Sequence, residues 1–321
     1  MNALCRAAAL IGTAAVGAGL AALMGASLGC DCSGTRFEIG LIGDTRYTDE
    51  QKAKFPNLVE DINRYHLAFV VHDGDIKGGR GRCTDENLTE TRDLFNRSAH
   101  PLIYTPGDNE WTDCHLANGD PSERLAAIRE VFFSVNESLG QRRMGYDRQS
   151  QEYPENARWS HGGVTFATLH VVGSNNNFGR TPDADAEYIG RNRANLDWIA
   201  MTFDEAQARG SAGVMFIMQA NPWGGRSDGS SGFGDTLRTL EERTLAFQKP
   251  VVLVHGDSHY FRIDKPLMGT SSNRRIENFT RVETFGTDDV HWVRATIDPS
   301  DPGVFGFREQ IVAANLVEHG G

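Results

Sequence analysis

Five short polar stretches, each directly after an apolar run, carry the side chains of this chain that are able to do chemistry. They occupy residues 43–47, 72–75, 106–111, 219–223 and 255–259. An apolar run that ends in ionisable residues is typical of a buried strand that delivers them to a site at its carboxyl end. Carboxylates gathered at one such edge repel one another unless a cation neutralises them. The pattern therefore predicts a site for a divalent metal ion.

A glycine stands directly before each of the four aspartates Asp44, Asp75, Asp108 and Asp257. Glycine permits the sharp turns that aim the next side chain into a site. The lone imidazole of the last stretch, His259, and an amide side chain complete the set. The predicted metal ligands are Asp44, Asp75, Asp108, Asn221, Asp257 and His259.

The elements that must position these residues alternate between strands and helices. Strands are predicted at 37–43, 67–71, 101–104, 164–172, 214–218 and 251–254, and helices at 57–64, 86–96 and 192–209. The last helix carries an apolar stripe and ends at Gly210. The tail, 281–297, alternates as closing strands do. This order is typical of a layered α/β protein.

The N-terminal 29 residues differ from the rest, because after Arg6 they carry no charge. A short basic start, an apolar centre and small residues at the end predict a secretory signal peptide, with an uncleaved N-terminal anchor as the alternative. Cys30 follows a segment loosely like a lipoprotein cleavage site, which leaves lipidation open. We expect a secreted, periplasmic or extracytoplasmic membrane-anchored protein. Residues 30–321 contain no linker and are predicted to form a single domain.

Charge and cysteines narrow the class further. The net charge of −11 argues against a nucleic-acid partner, which needs a basic surface. Membrane contact is expected only through the N-terminal segment. In an oxidising compartment, Cys83 and Cys114, both in polar loops, are predicted to form a disulfide, the alternative being two free thiols.

The order and spacing of the five polar stretches resemble the calcineurin-like metallophosphoesterases, which include the purple acid phosphatases. That family shows Asp-x-His, Gly-Asp, Gly-Asn-His-Asp/Glu, a lone His before a proline, and Gly-His-x-His. The resemblance spans residues 37–263 and implies a four-layer α/β/β/α sandwich. It matches Asp44 to the first motif and Asp75 to the aspartate that bridges two metals. Asp257 stands for the first histidine of the last motif, and His259 keeps the second.

The departures from the family pattern replace imidazoles by other groups. Asp108 stands where the family has a ligand asparagine, and Asn109 where it has its catalytic histidine. Asn221 or Gln219 falls near the lone histidine. Oxygen ligands of this kind favour Mg²⁺, Mn²⁺ or Ca²⁺ over zinc or iron, with one or two ions bound.

Arg46 stands where the first motif would supply an imidazole, and an arginine cannot ligate a metal. We expect its guanidinium to bind a substrate phosphate and to replace part of a second cation. The alternative is a simple ion pair with Asp44. Because Asn109 cannot donate a proton to a leaving group, His255 is the first candidate for that role, with His72, His115 and His170 as alternatives. Predicted substrate contacts are Arg46, Trp111, Gln219 and Trp223.

Three functions follow, of different classes. The leading one is an exported, metal-dependent phosphoesterase that hydrolyses a phosphomonoester or phosphodiester of a phosphorylated small molecule. The second is a non-catalytic binding protein of the same fold with a degenerate metal site. The third, a structural carbohydrate or surface protein, leaves the five polar strand ends unexplained.

Overall fold

A computed structural model describes residues 35–224 and 230–316 of the chain. In these residues a five-stranded sheet of order β14-β13-β1-β2-β3 faces a seven-stranded sheet of order β4-β5-β6-β7-β8-β12-β9, and β10 and β11 form a two-stranded ribbon. The strands are β1 Phe37–Ile42, β2 Val70–His72, β3 Leu102–Tyr104, β4 Asp147–Arg148, β5 Ala157–His161, β6 Val164–Thr168, β7 Val214–Ile217, β8 Val251–His255, β9 Arg262–Asp264, β10 Met268–Gly269, β11 Arg274–Arg275, β12 Phe279–Glu283, β13 Trp292–Ile297 and β14 Phe305–Gln310.

The helices are α1 Asp49–Asn63, α2 Asp85–Phe95, α3 Pro121–Phe132, the single turn α4 Gly173–Asn176, α5 Pro182–Ala208 and α6 Gly234–Phe247. Short 3₁₀ helices cover Thr112–Ala117 and Ala313–Asn315. Side chains of Thr48, Thr84, Asp120 and Thr181 accept backbone N–H groups of the first turns of α1, α2, α3 and α5. These caps satisfy donors that have no partner inside a helix, and so fix where each helix begins.

Three apolar clusters show how the layers stack. The first lies between the two sheets and contains residues of β1, β2, β7 and β8, among them Leu41, Val71, Ile217 and Val254. The second packs α1, α2 and α3 on the outer face of the five-stranded sheet, and the third packs α5 and α6 on the outer face of the seven-stranded sheet. The predicted four-layer α/β/β/α sandwich is confirmed.

Parallel pairing brings the relevant strand ends to one edge. β1, β2 and β3 run parallel in one sheet, and β6, β7, β8 and β12 run parallel in the other. The carboxyl ends of parallel strands lie at the same edge of a sheet, so the loops after β1, β2, β3, β7 and β8 gather where the two sheets meet.

Most predicted elements are present with shifted ends. The strand predicted at 67–71 is β2 at Val70–His72, and the one predicted at 164–172 is the shorter β6. The helix predicted at 192–209 begins ten residues earlier as part of α5. No helix in the described ranges is both long and apolar enough to cross a membrane. The predicted signal peptide or anchor at 1–29, with Cys30, lies outside the described residues.

Candidate functional site

The loops after four strands bring five of the six predicted metal ligands together. Asp44 follows β1, Asp75 follows β2, Asp108 follows β3, and Asp257 and His259 follow β8. The backbone N–H groups of Asp44 and Thr45 donate to the carbonyls of Gly74 and Asp75, which joins the first two loops. The loop after β8 joins them from the other sheet, because the backbone N–H of Asp257 donates to both carboxylate oxygens of Asp44 at 3.1 and 3.0 Å.

The backbone at this edge is strained. Asp44, Arg46, Asp75, Asp257 and His259 all have positive φ, at 48°, 70°, 59°, 77° and 58°. For a residue with a Cβ this left-handed conformation costs about 1–2 kcal/mol. Such strain persists where the surrounding structure fixes the loop, and it clusters at sites where a side chain must point in one direction.

The hydroxyl of Tyr47 lies at the centre of the cluster. It donates to Asp75 Oδ2 at 2.7 Å and lies 3.2 Å from Asp44 Oδ1. It accepts a hydrogen bond from Asn109 Nδ2 at 2.9 Å, and His259 Nε2 is 3.3 Å away. One phenol thus contacts four side chains from four loops. Three of these side chains are predicted metal ligands.

The carboxylate of Asp75 is held by neutral donors. It accepts from the backbone N–H of Asn109 at 3.1 Å, from Asn109 Nδ2 at 2.7 Å and from Gln219 Nε2 at 3.2 Å. Burial, and then the charges of Asp108, Glu110 and Asp44, raise the pKa of Asp75 well above its usual range. These neutral donors leave the negative charge of the cluster uncompensated.

Asp108 and Asp257 come from different sheets and face each other beside Gly173. A Cβ added to Gly173 would lie 2.6 Å from Asp108 Oδ2 and 2.8 Å from Asp257 Oδ1. Burial and the charge of Asp257 raise the pKa of Asp108, and burial raises the pKa of Asp257 to about 6. Glycine is required at 173 because any side chain would displace these carboxylates.

His259 is the imidazole of the cluster. Its Nε2 lies 3.4 Å from Asp44 Oδ1. Partial burial lowers the pKa of His259, but the hydrogen bond to Asp44 and the charge of Asp44 outweigh burial, so the pKa is raised. His259 is therefore the member of the cluster that is able to carry a positive charge beside Asp44.

Two further buried acids, Asp73 and Glu110, support the cluster. Asp73 Oδ2 accepts from Thr284 Oγ1 at 2.8 Å, and Glu110 Oε1 accepts from Tyr104 Oη at 2.6 Å and from the backbone N–H of Gly107 at 2.8 Å. The other oxygen of each carboxylate has no partner among the described residues. Burial raises the pKa of both groups.

The predicted disulfide between Cys83 and Cys114 is present and lies against Asn109. The two sulfur atoms are 3.8 and 3.9 Å from the carbonyl oxygen of Asn109. The disulfide thus connects the segment that follows Asp75 to the segment that follows Asp108 and Asn109. It holds the two loops that carry central members of the cluster.

The amide side chains after β7 orient the carboxylates. Gln219 Oε1 accepts the backbone N–H of Gly173 at 2.6 Å, while its Nε2 donates to Asp75. The backbone N–H of Asn221 donates to Asp257 Oδ2 at 3.0 Å, and its side-chain oxygen accepts the N–H of Trp223 at 3.1 Å. In this arrangement both amide oxygens are engaged by backbone groups, so the ligand role of Asn221 stays a prediction.

Arg46 has a different partner from the one expected. Its guanidinium pairs with Glu90 at 3.0 Å, contacts Thr91 and lies 5.8 Å from the ring centroid of Phe55. The ion pair with Asp44, which was the alternative to a phosphate contact, is wrong, because Arg46 has a positive φ of 70° and its side chain lies against α1 and α2. Sequence reasoning had no means to detect that backbone conformation.

The four histidines considered as proton donors lie apart from the carboxylates. His255 is buried at the end of β8, and its Nδ1 lies 2.8 Å from the Gly256 carbonyl. Burial lowers the pKa of His255 to about 3, so it carries no acidic proton at neutral pH and does not fit the role of general acid. His72 and His170 are buried with lowered pKa values, and His115 is exposed on the 3₁₀ helix.

The two tryptophans predicted to contact substrate pack elsewhere. Trp111 is 1% exposed, and its ring lies between His170, at 5.3 Å, and the guanidinium of Arg191, at 5.2 Å. Its predicted substrate contact is wrong, because the large ring is core beneath the loop. Trp223 is half-buried under the guanidinium of Arg281, 4.9 Å from its ring centroid.

The side chains of the cluster are of the types that bind a divalent cation, but they do not converge on one point in this structure. Among the described residues, no three His, Cys, Asp or Glu side chains already converge as ligands. However, the oxygen donors Asp75 and Asp108 are buried and Asp257 is partly buried, and the pKa values of all three are raised by burial and by neighbouring carboxylates. A cation would relieve that repulsion once Asp75 exchanged its bonds with Tyr47 and Asn109 for the ion.

Tyr47 is the functional residue that sequence reasoning missed. It stands in the first polar stretch, three residues after Asp44. The only signal was an aromatic hydroxyl in the loop that follows β1, close in sequence to Gly43 and Asp44. Its role depends on contacts with loops that are distant in sequence, and no spacing rule predicts them.

Comparison with solved structures shows the fold. The structure of PhoD matches with a TM-score of 0.52 at 11% identity, over 82% of this chain and 64% of that one. The purple acid phosphatase PPD1 from seeds of yellow lupin, Lupinus luteus, matches with a TM-score of 0.51 at 12% identity, over 89% of this chain and 53% of that one. This chain thus spans less than two thirds of either neighbour. Both are calcineurin-like metallophosphoesterases, and the chain has their fold. Neither a protein-family model nor a curated protein sequence matches it.

Proposed function

We propose that the protein is an exported, divalent-metal-dependent phosphoesterase that hydrolyses a small phosphomonoester or phosphodiester. One observation carries this proposal: four aspartates from four separate loops, three of them buried and the fourth, Asp257, partly buried, gather at the edge where the two sheets meet. Their charge is balanced within the cluster only by His259 among the described ion pairs. The strained backbone at Asp44, Asp75 and Asp257 supports a functional reason for this costly arrangement.

The residues that would hold the ion are Asp75, Asp108 and Asp257, with Asp44 and His259 beside them. A bound divalent cation polarises a phosphoryl oxygen and makes a water molecule a better nucleophile at neutral pH. Carboxylate oxygens favour Mg²⁺, Mn²⁺ or Ca²⁺, and one or two ions are compatible with this number of donors. Gln219 and Asn221 orient Asp75 and Asp257 through the hydrogen bonds given above.

The substrate is expected to have a good leaving group. Asn109 holds Asp75 and Tyr47 but has no acidic proton. Among the described histidines, His259 is the one in contact with the carboxylates, and we assign it to the metal. The aryloxide group of an aryl phosphate leaves without strong assistance from an acid, so aryl phosphates are suitable substrates.

A pocket of about 630 Å³ lies next to the cluster and accommodates the remainder of a small substrate. Asp257 and Ser258 form one side, and Ser174, Phe178 and Arg180 contribute to the other. Arg180 is a candidate cation for a phosphate oxygen, although its guanidinium also donates to Asn177 at 3.0 Å. The disulfide supports export to an oxidising compartment.

A non-catalytic binding protein of the same fold is the second candidate. The hydroxyl of Tyr47, which bridges Asp75, Asn109 and His259, favours it. A hydrogen-bonded network of this kind stabilises the loops without an ion. The two candidates differ in metal content and in turnover.

The deciding experiment measures hydrolysis of 4-nitrophenyl phosphate and bis(4-nitrophenyl) phosphate by the full chain. The protein is stripped with EDTA and reloaded with Mg²⁺, Mn²⁺, Ca²⁺ or Zn²⁺, and bound metal is counted by mass spectrometry. We expect turnover with Mg²⁺ or Mn²⁺, and a loss of at least about a hundredfold in Asp75→Asn, because this change removes a ligand charge.

Asp93→Asn is the matched control, since Asp93 is an exposed aspartate on α2. It should retain wild-type turnover. A folded chain that binds none of these ions and hydrolyses neither ester would contradict the enzyme and support the binding protein.

A further inference from the structure

A second cavity, of about 220 Å³, shares Tyr47 with the candidate active site. It lies between the segment after Asp75 and the helices α1 and α2. Four cationic side chains line it: Arg46, Lys52, Lys77 and Arg82. None of the described residues that line it is acidic, in a chain whose net charge is −11. We call it the basic cavity.

Lys77 is buried without an ion pair. It is 6% exposed, and its ammonium donates to the Gly78 carbonyl at 2.9 Å. No carboxylate of the described residues lies within salt-bridge distance of it, although Asp75, Glu110 and Asp113 act on its charge from farther away. The Gly78 carbonyl is the one hydrogen-bond acceptor of this ammonium among the described residues, and a buried ammonium is costly unless it is paired.

Arg46 presents a second buried donor. It is 3% exposed, and two of its nitrogens are engaged by Glu90 and Thr91 of α2. Its Nε has no partner among the described residues. Because guanidinium groups bind tetrahedral oxyanions through several parallel hydrogen bonds, an N–H left over beside a second cation is suited to an anion.

The other two cations lie at the mouth of the cavity. Lys52 is exposed on α1, where its ammonium lies 3.2 Å from Asp49, and Arg82 is exposed in the loop before α2, facing Glu86. The volume of the cavity equals that of several water molecules at about 30 Å³ each. It therefore has room for one small polyatomic anion.

We propose that the basic cavity is a binding site for a tetrahedral oxyanion, phosphate or sulfate, distinct from the carboxylate cluster. Lys77 and Arg46 bind the anion from inside, and Lys52 and Arg82 close over it from the mouth. The anion is either free in solution or the second phosphate group of a substrate held at the cluster. Anion binding itself does not require the protein to be an enzyme.

The test is calorimetric titration of the full chain with sodium sulfate in EDTA, at constant ionic strength with chloride. We expect saturable binding at a single site. The double variant Lys52→Ser/Arg82→Ser should raise the dissociation constant about tenfold, as expected when two charge-assisted contacts are lost. Both side chains are exposed, so the variant is expected to fold.

The control is Lys54→Ser/Arg80→Ser, which removes two positive charges from the same helix and the same loop. Neither Lys54 nor Arg80 lines the cavity, and Lys54 pairs with Glu50. It should change the dissociation constant less than about twofold, since only long-range charge is lost. Equal weakening by both variants, or no saturable sulfate binding by the wild type, would overturn the proposal.

Two additional measurements separate this site from the proposed activity and identify the source of the anion. Asp75→Asn, which should greatly reduce turnover, is expected to retain sulfate binding. Loss of sulfate binding in this variant would place the anion at the carboxylate cluster and overturn the proposal. If Lys52→Ser/Arg82→Ser raises the Michaelis constant only for substrates with two phosphate groups, the anion is the second phosphate group of the substrate. If the double variant has an unchanged Michaelis constant but is inhibited less by inorganic phosphate, the anion that binds the cavity is free in solution.

Discussion

Tyr47 connects the loops that carry the candidate ligands. Its hydroxyl contacts Asp44, Asp75, Asn109 and His259, and burial with the charge of Asp75 raises its pKa well above the usual range. The phenol is therefore protonated and serves as a hydrogen-bond donor to the carboxylates. It provides part of the stabilisation that a cation would otherwise provide.

Tyr47→Phe should lower the free energy of unfolding by about 1–3 kcal/mol in EDTA, because a buried carboxylate loses a hydrogen bond. With saturating Mg²⁺ the loss should be smaller, since the ion stabilises the same carboxylates in the native state. Urea denaturation in the two buffers measures both values. Tyr260→Phe, at an exposed tyrosine, is the control and should change neither. An identical loss with and without Mg²⁺ would contradict the exchange of the phenol for an ion.

The limits of sequence reasoning are clearest for Arg46. The residue type and its place in the first motif predicted a phosphate contact, but its side chain points to Glu90 on α2. Trp111 shows the same limit, because an aromatic residue in a site loop is equally able to pack downwards into the core. In contrast, the sequence predicted which acids lie at this edge, because each of them follows a recognisable strand: Asp44, Asp75, Asp108 and Asp257, with His259.

Strands were easier to predict than the start of α5. Strands β6, β7 and β8 are continuous apolar runs, which are typical of buried parallel strands. The first part of α5 has no continuous apolar stripe, because its buried side chains include Arg191 as well as Ala184 and Tyr188. Arg191 and Asn195 donate to the carbonyl of His170, so they are buried with hydrogen bonds. Periodicity fails there, and the cap at Thr181 followed by Pro182 was the remaining signal.

Strand β2 carries a histidine that makes folding sensitive to acid. His72 is buried, its Nδ1 accepts the backbone N–H of Gly74 at 3.2 Å, and burial lowers its pKa to about 3. In the unfolded chain a histidine has a pKa of about 6.5. Between these values the unfolded state binds one more proton than the native state, so this contribution to stability is lost as the pH falls.

His72→Gln should therefore flatten the decline of unfolding free energy with falling pH. The slope between pH 6 and pH 4 should decrease by up to about 1.4 kcal/mol per pH unit, the value for one proton. Urea denaturation across this range measures it, and comparison with the wild type cancels the groups that both chains share. Parallel curves for the two proteins would show that folding does not lower the pKa of His72.

The whole molecule brings its site together from both sheets. Asp44, Asp75 and Asp108 follow strands of the five-stranded sheet, while Gln219, Asp257 and His259 follow strands of the seven-stranded sheet. The resemblance to metallophosphoesterases predicted the two facing sheets, whereas the alternation of predicted strands and helices predicted only a layered α/β protein. Relative placement of two sheets depends on core packing over many residues, so it is not contained in any one motif.

The disulfide is expected to contribute to the stability of the whole domain. It joins residues 31 positions apart and connects the loops after β2 and β3. Cys83→Ser/Cys114→Ser should lower the free energy of unfolding by about 2–4 kcal/mol, through a less restricted unfolded chain. Urea denaturation measures the loss, and dithiothreitol should bring the wild type to the same midpoint. The reductant should leave the double variant unchanged, and an unaffected wild type would contradict the prediction.

The close contact of glycines with carboxylates has a consequence for evolution. A Cβ at Gly107 would lie 2.0 Å from Asp75 Oδ1, and one at Gly256 would lie 1.8 Å from Asp44 Oδ2. Each of these glycines thus makes room for an acid that belongs to another loop, so glycine and acid must be kept or lost together. Distant homologues should then be recognisable by paired glycines and acids in different segments, even where ligand histidines have disappeared.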